Sequence, residues 1–339
     1  MSGLATIAKR LLEALPTLFG VILVTFLLTR ALPGDPAVYY AGPAADAESI
    51  AQVRAAMGLD RSLPLQFASY VKGLAAGDWG VSLSTGRDVT EELGRRLPAS
   101  LELTLLGLLI AIVIAIPLGV LAATRPNKPV DHICRIIVTT GVSMPVFFTG
   151  LLLVYVFYYL LGWAPAPLGR LDFMHIAPDR VTGLYLVDSL IAGDFEVFRA
   201  SLAHIFLPAL TLGIFALAPI ARMTRAAMLD VLSSDYIRTA RASGLATRTV
   251  LFTYALRNAL LSVLTTLGMV FSFLLGANVL VEKVFSWPGI GSFAIDALVA
   301  SDYAAVQGFV LAMALLFVTL NLTIDLLYAV IDPRIRAAS

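Results

Sequence analysis

The residue types that most often perform chemistry are too few and too scattered in this sequence to form a catalytic site. The three histidines, His132, His175 and His204, are far apart, and neither His-Glu-x-x-His nor Gly-x-Ser-x-Gly occurs. The single cysteine, Cys134, excludes a thiol cluster and an intramolecular disulfide. No Gly-Lys dipeptide is present, so the chain lacks a phosphate-binding P-loop. The sequence therefore predicts no catalytic residue and no metal site in this chain.

A basic segment, residues 222–257, lies between two long apolar runs. Within it, Asp235-Tyr-Ile-Arg-Thr-Ala-Arg-Ala-Ser-Gly-Leu245 predicts a short helix. Asp235 is a favourable N-cap, and Gly244 stands where a left-handed C′ residue is wanted. Thr247 is a candidate cap for a second helix. The local pattern is a short helix, a glycine break and a new helix.

Two alanines, Ala240 and Ala242, keep part of this short helix thin, so another protein surface could approach its backbone. Such a helix, held outside the membrane between two spans, is typical of a docking element. The simpler interpretation is that the arginines only orient the chain in a membrane. Charge alone leaves both interpretations open.

The composition indicates an all-α polytopic membrane protein. Of 339 residues, 59% are hydrophobic and 14% charged, with mean hydropathy +0.87, whereas soluble domains are about 45–50% apolar and about 25% charged. A membrane-crossing helix needs about 20 apolar residues. Six runs meet that length, at 11–30, 100–123, 134–161, 203–221, 257–281 and 307–330.

Charge asymmetry predicts the orientation of these spans. Segments assigned to the cytoplasmic side hold 13 Lys and Arg and 6 Asp and Glu, which leaves 11 and 17 of the totals of 24 and 23 outside. Positive residues stay inside, so both termini are expected in the cytoplasm. The expected organisation is an N-terminus and first span (1–30), an extracytoplasmic lobe (31–99) and a five-span core (100–339) that contains the cytoplasmic loop 222–256.

The order of residues in that loop, followed by Ala255-Leu-Arg-Asn-Ala259, resembles the "EAA" loop of ABC importer permeases, in the form found in dipeptide/oligopeptide permeases. Other stretches resemble the same family over nearly the whole chain. They are Leu32-Pro-Gly-Asp-Pro-Ala37, Gly77-Asp-Trp-Gly-Val-Ser82, Val281-Glu-Lys-Val-Phe-Ser-Trp-Pro-Gly-Ile-Gly291, Asn321-Leu-x-x-Asp325-Leu-Leu-Tyr328 and Asp332-Pro-Arg-Ile-Arg336. Val181–Asp188 and Gly193–Glu196 resemble the D,D-dipeptide branch.

The resemblance implies a type I ABC importer permease in the bacterial cytoplasmic membrane. It implies a second homologous permease, two cytoplasmic ATPases that carry ATP and Mg²⁺, and an extracytoplasmic solute-binding protein, with no cofactor in this chain and no nucleic-acid partner. The ATPase-coupling residues implied are Asp235, Tyr236, Arg238, Thr239, Ala240, Arg241, Ala242, Gly244 and Leu245. Two residues depart from the family pattern. Ser243 replaces a common lysine, and Ser262 replaces a proline, which predicts a straighter fifth span.

Further site residues follow from the spans. A carboxylate inside a membrane needs a partner, so Asp325 is expected to pair with Arg222 or Arg225 as a structural lock rather than to relay protons. Candidate substrate-path residues are Ser143, Thr149, Gly276 and Asn278, with helix packing as the alternative. Peptide is the expected substrate. The alternatives are glutathione, a nickel chelate or a sugar on the same machinery, or an ion-coupled secondary transporter.

Overall fold

The computed structural model describes residues 3–31, 35–42 and 44–331, without the side chains at 3–11, 14, 31, 36, 39, 142 and 325–331. Within these ranges the regular secondary structure is helical, apart from one isolated bridge between Val81 and Asp88. The helices are α1 (Gly3–Ala31), α2 (Pro36–Ala41), α3 (Ala47–Ala56), α4 (Leu63–Ala75), α5 (Val89–Thr124), α6 (Pro129–Val142), α7 (Val146–Leu153), α8 (Tyr185–Ile191), α9 (Phe195–Ser233), α10 (Asp235–Ala242), α11 (Thr247–Thr249), α12 (Arg257–Val284), α13 (Ile290–Val299) and α14 (Tyr303–Ile331). Two π-helical segments, Val154–Leu160 and Val250–Leu256, continue α7 and α11.

The chain divides into two compact units, one formed by Met1–Leu97 with Gly289–Ser339 and the other by Pro98–Pro288. The first boundary falls close to the expected end of the lobe at residue 99. The last span, however, groups with the first span and the lobe, and not with the rest of the expected five-span core.

In the first unit, α14 packs against α1 and α13. Its core includes Val89, Leu93, Ile290 and Phe293, all nearly inaccessible to solvent. Gly308 is required here, because a Cβ atom at that position would lie 2.2 Å from Val89 Cγ1.

The loop before α5 in this unit is fixed by Asp302. Its buried carboxylate accepts hydrogen bonds from Ser82 Oγ at 2.6 Å and from Ser84 N at 3.1 Å. The same carboxylate accepts a bond from Ala305 N at 3.2 Å, near the start of α14. One acidic side chain therefore satisfies donors from two distant parts of the sequence.

In the second unit, α9 is central, and α12, α6, α7 and α8 pack against it. Helix α5 also approaches α9 closely, at glycines. A Cβ atom at Gly107 would lie 2.8 Å from Leu212 Cβ, and one at Gly119 would lie 2.6 Å from Thr224 Cβ. Small residues allow this close backbone approach, as is common between membrane helices.

By length and composition, four helical stretches could cross a membrane: Val89–Thr124, Phe195–Ser233, Thr247–Val284 and Tyr303–Ile324. A fifth crossing is possible through Pro129–Gly141 with Val146–Leu160, although this pair bends by 95°. The expected single span over 134–161 is therefore two helices, broken where Pro145 cannot continue the first. The first expected span corresponds to the shorter apolar stretch Leu15–Arg30. Helix α12 runs without interruption through Ser262.

Several sequence motifs fall on positions that are not described. Residues 32–34 and 332–339 lie outside the described residues, and so does the side chain of Asp325. The pairing expected for Asp325 and the positions of the two termini therefore stay predictions.

Candidate coupling surface

Helix α10 has the short, capped form that the sequence predicts, with its start shifted by one residue. Ser234 occupies the N-cap position with extended backbone, and Asp235 is the first helical residue, so the prediction of Asp235 as N-cap was wrong. Both residue types favour N-caps, which is why the sequence did not separate them. Thr247 is likewise the first residue of α11, and Ala246 occupies its N-cap position.

Gly244 ends α10 as predicted. Its φ angle is +74°, in the left-handed region that only glycine adopts without strain. Gly244 N donates to Arg241 O at 3.0 Å, and Leu245 N donates to Ala240 O at 3.3 Å. These two bonds form a Schellman motif, which satisfies carbonyl groups at the helix end and turns the chain sharply.

The inner face of α10 is attached to the second unit by Ile237 and Ala240, which are buried. They belong to an apolar cluster with residues of α5, α9, α12 and the π-helical segment that precedes α12: Val120, Ala123, Met228, Val250, Ala255 and Ala259. Ala240 therefore packs inward, and the expectation that it offers a thin outer surface was wrong. The signal for this anchor was the i, i+3 spacing of two apolar residues in a polar helix.

The outer face of α10 and its end are exposed. Asp235, Tyr236, Arg238, Thr239, Arg241, Ala242, Gly244 and Leu245 are all exposed, with Tyr236 43% and Leu245 40% accessible. Arg238 pairs with Asp235 one turn earlier. Among the described residues Arg241 has no acidic partner within ion-pair distance, so its charge remains available to a docking surface. Eight of the nine predicted coupling residues thus share an accessible surface.

Sequence reasoning missed two aromatic residues beside this surface. The segment Val250–Leu256 packs against α10, and its Phe252 and Tyr254 are 54% and 40% exposed. They lie between Arg248 and Arg257 in the basic loop. Aromatic side chains and arginine are enriched at protein interfaces, so this pairing of residue types was the available signal.

The arginines expected to form the lock are in different environments. Arg222 is exposed. Arg225 binds the buried carboxylate of Asp131 on α6, from Nε at 2.8 Å and from Nη2 at 2.7 Å. Asn127 N also donates to Asp131, at 2.9 Å. The described residues therefore contain a buried ion pair between α6 and α9 that the sequence did not reveal.

The four candidate path residues have different surroundings. Ser143 is exposed and lines an open groove of about 440 Å³ on α6 with His132, Arg135, Ile136, Thr139 and Thr140. Gly276 is exposed, and nothing lies within 4 Å of a Cβ atom built on it. Thr149 and Asn278 are buried. The structure therefore places only Ser143 and Gly276 on accessible surface.

Asn278 belongs to a buried polar network inside the second unit. Its Nδ2 donates to Ser100 O and Thr104 Oγ1, both at 3.2 Å, and to Glu282 Oε1 at 3.0 Å. Ser100 Oγ also donates to Glu282, which is part of the motif that begins at Val281. Buried polar groups need such partners, so these residues hold α5 against α12.

A second buried pair fixes the segment between the π-helical segment Val154–Leu160 and α8. Arg170 Nη2 donates to Glu102 Oε2 at 2.6 Å and to Gly183 O at 3.0 Å. The Arg170 guanidinium lies 3.4 Å from the Tyr185 ring centroid. Asp188 closes the neighbouring turn by accepting from Thr182 N and Gly183 N, both at 2.8 Å. Burial opposes ionisation of Asp188, but these hydrogen bonds outweigh it and hold its pKa below the usual range.

The described residues contain no group of three or more His, Cys, Asp and Glu side chains placed to hold a metal ion. What this structure presents instead is a bundle of long apolar helices with one small helix exposed beside their ends. That combination is typical of a polytopic membrane protein.

Two family models match the chain. The binding-protein-dependent transport system inner membrane component matches residues 115–337, and the corresponding N-terminal membrane component matches residues 4–104. The chain belongs to this family of binding-protein-dependent inner membrane components, in its dipeptide/oligopeptide ABC permease branch.

Similar proteins in Escherichia coli K12 include a probable D,D-dipeptide transport system permease, DdpB, 46% identical over 93% of each chain. The dipeptide transport system permease DppB is 42% identical over 97% of this chain and 98% of its own. The glutathione transport system permease GsiC is 39% identical over the same shares. The expected family resemblance is confirmed.

Among solved structures, an inward-facing form of the MetNI methionine ABC transporter contains a chain with the same fold. The TM-score is 0.53 at 18% identity, covering 71% of this chain and 96% of the other. The predicted all-α polytopic permease fold is therefore confirmed.

Proposed function

We propose that this chain is one permease subunit of an ATP-driven importer of di- and oligopeptides. The chain itself performs no hydrolysis. It works in the cytoplasmic membrane with a second homologous permease, and both termini lie in the cytoplasm. Two ATPase subunits hold ATP and Mg²⁺, and an extracytoplasmic binding protein delivers the peptide.

The observation that carries the proposal is the construction of α10. A helix of eight residues is too short to be stable alone. Here it is held by Ile237 and Ala240 on one side and by the Gly244 turn at its end, while its polar side stays exposed. This arrangement suits a rigid projection that a partner protein binds.

The same contacts provide a route for force into the membrane. The cluster beneath α10 contains residues of α5, α9 and α12, which are three of the candidate spans. Close-packed interiors transmit displacement rather than absorb it. A movement of α10 driven by ATPase closure would therefore reach all three helices together and shift the bundle between two arrangements, each favoured by a different ligand state.

The peptide substrate is supported by the dipeptide, D,D-dipeptide and di/tripeptide permeases that are 42–46% identical to this chain. A glutathione permease at 39% identity gives a second candidate substrate of related chemistry, a modified tripeptide. A secondary transporter is less well supported, because it would not need an exposed, anchored helix such as α10.

Co-purification with the ATPase subunits tests the proposal. The variant is Gly244→Asp with Arg241→Glu, which reverses one charge and adds another on the exposed surface. A Cβ atom at Gly244 meets nothing within 4 Å, and Asp tolerates the left-handed conformation better than most residues. The Asp side chain therefore fits the available space, and the backbone strain at φ +74° is about 1–2 kcal/mol, which the control variant also carries.

A matched control is Gly193→Asp with Arg199→Glu. Gly193 also has positive φ, +71°, and an open Cβ position, and Arg199 is exposed. We expect loss of ATPase association and of ATP-dependent peptide uptake in the first variant only. Unchanged association and uptake in the first variant would show that the loop is only a topological signal.

A further inference from the structure

The first unit contains a cavity of about 270 Å³ that the transport proposal does not use. It lies among α1, α4 and the start of α14, and is half open. Its volume is close to the lower end of the range for small-molecule sites, about 300–1,000 Å³. The charged and hydrogen-bonding residues that line it include Arg30, Arg61, Gln66, Tyr70, Asp78 and Gln307.

One end of the cavity is cationic. The Arg30 guanidinium lies 4.2 Å from the Phe26 ring centroid, and its hydrogen bonds to Gln66 Oε1 and Thr29 Oγ1 are long, at 3.4–3.5 Å. These acceptors are neutral, and no carboxylate among the described residues lies within ion-pair distance of Arg30. Arg61 adds a second positive charge to the lining. A partly buried arginine with weak neutral partners favours an anionic ligand.

The Gln66 side chain is fixed so that it faces Arg30. Gln66 Nε2 donates to Arg61 O at 2.9 Å and to Leu59 O at 3.2 Å. Because the amide nitrogen is occupied by the loop, the amide oxygen is directed to the guanidinium. The cationic end is therefore held in place before any ligand binds.

The other end of the cavity is anionic. Asp78 N donates to Gly73 O at 3.0 Å, at the C-terminal end of α4, and Asp78 Oδ1 accepts from Gly80 N at 2.9 Å. Among the described residues no cation pairs with Asp78. The partial negative charge of a helix C-terminus adds to the attraction for a cation here.

Helix α4 sets the distance between the two ends. Gln66, Ser69, Tyr70 and Gly73 all line the cavity, and their spacing puts them on one face of the helix. From Gln66 to Gly73 the helix rises about 10 Å, at about 1.5 Å per residue. An extended chain spans about 3.5 Å per residue, so this length fits two or three residues.

The walls between the two ends are aromatic and able to donate hydrogen bonds. Tyr40, Tyr70, Trp79 and Tyr303 line the cavity. Burial raises the pKa of Tyr70 to about 12, so its hydroxyl stays protonated at physiological pH and can donate to a ligand. Such walls suit the backbone and small side chains of a peptide.

We propose that this cavity is a binding site on the permease itself for a zwitterionic peptide of two or three residues, with its carboxylate at Arg30 and its ammonium at Asp78. The cavity belongs to the first unit, whereas α10 belongs to the second. The choice of a peptide as ligand rests on the proposed transport function, whereas the charge pattern of the cavity does not.

Protection of a cysteine from labelling tests the site in the full chain in lipid nanodiscs. Ser69→Cys, in a Cys134→Ala background, places the only thiol in the cavity lining. Ala-Ala should slow its reaction with a charged maleimide. N-acetyl-Ala-Ala and Ala-Ala amide, which each lack one charge, should protect only at concentrations at least about tenfold higher, because each loses a charge-assisted hydrogen bond. Ser49→Cys, exposed on α3, should show no protection.

Two further substitutions, Arg30→Gln and Asp78→Asn, are made separately in the Ser69→Cys chain. Each should raise the concentration of Ala-Ala needed for protection at least about tenfold. Arg95→Gln, an exposed residue of α5 paired with Glu91, is the matched control and should leave it unchanged. Equal maleimide rates without ligand would show that the variants remain folded.

Three results would overturn the site: no protection by Ala-Ala, protection that both charge variants retain, or better protection by glycerophosphoethanolamine, which would assign the cavity to a lipid headgroup. Uptake of Ala-Ala by the complete importer is measured in parallel. Uptake of Ala-Ala without protection of the cysteine would contradict the binding site and leave the proposed transport function unaffected. Protection without uptake supports the site and contradicts peptide import.

Discussion

Arg225 of α9 binds Asp131 of α6 through two parallel hydrogen bonds, from Nε at 2.8 Å and Nη2 at 2.7 Å, and the aspartate side chain is fully buried. One helical turn further along α9, Met228 enters the cluster beneath α10. The ion pair therefore fixes α6 to the same part of α9 that supports the coupling helix.

Replacing one partner of this pair should destabilise the protein strongly. Arg225→Met leaves Asp131 charged and buried, and we expect a loss of about 3 kcal/mol in unfolding free energy. Arg225→Met with Asp131→Leu removes both charges and should recover part of that loss. Denaturant unfolding of the purified protein compares them, with Arg222→Met as the exposed control. A single variant as stable as the control would mean that the pair contributes little.

Ile237→Ala should weaken the attachment of α10 without altering its exposed face. Ile237 is fully buried, and truncation of such a side chain costs about 2–5 kcal/mol. We expect ATPase subunits still to bind, while peptide uptake per ATP hydrolysed falls severalfold because the helix moves without the bundle. Ile237→Val, which costs about 0.5–1.5 kcal/mol, should have a much smaller effect. If the wild type and Ile237→Ala import the same amount of peptide per ATP hydrolysed, the movement of the ATPases reaches the helical bundle through contacts other than Ile237.

The local features of this site were predictable, and the long-range ones were not. The α10 helix and its Gly244 turn follow from residues within ten positions of one another. The N-cap was displaced by one residue because Ser234 and Asp235 both favour that position, and helix ends are the least certain part of such predictions. The inward packing of Ala240 depended on what α9 and the π-helical segment present to it, which the local pattern does not contain.

The Asp131–Arg225 pair joins residues 94 positions apart, so only the fold brings them together. From the sequence, Asp131 counted merely as one cytoplasmic acid among several. Asp325 lies inside a long apolar run, so the sequence marks it as a buried charge, whereas Asp131 lies outside such a run. The same limit applies to Glu102 and Arg170, 68 positions apart.

Gly119→Ala should disturb the contact between α5 and α9. Its Cβ would lie 2.6 Å from Thr224 Cβ and 2.8 Å from Ala221 O, and such overpacking costs about 1–3 kcal/mol. Gly276→Ala is the matched control, since its Cβ would meet nothing within 4 Å, and Ala stabilises a helix interior by about 1 kcal/mol relative to Gly. Thermal unfolding should therefore shift down for Gly119→Ala and not for Gly276→Ala. A downward shift of the same size in both would implicate helix flexibility rather than close packing.

The pair His175–Asp172 predicts a pH dependence in the segment before α8. Asp172 Oδ1 lies 2.6 Å from His175 Nδ1, and this hydrogen bond raises the pKa of His175 and lowers that of Asp172. Because the folded pKa of His175 is raised, its contribution is complete below the unfolded pKa and is lost as pH rises through the folded value. For Asp172 the contribution is lost as pH falls through its lowered pKa. The segment should therefore be best ordered at pH values between the lowered folded pKa of Asp172 and the raised folded pKa of His175.

Histidine NMR of the full chain, with the His175 signal assigned by its loss in His175→Gln, measures the midpoint directly. We expect a midpoint above the ordinary histidine value, which falls toward it in Asp172→Asn because the hydrogen bond is the largest cause of the shift. Glu196→Gln should lower it less, since Glu196 lies 3.7 Å from His175 Nε2 and is 86% exposed. Solvent screens such exposed charges, so a larger effect from Glu196→Gln than from Asp172→Asn would contradict this assignment of the pair.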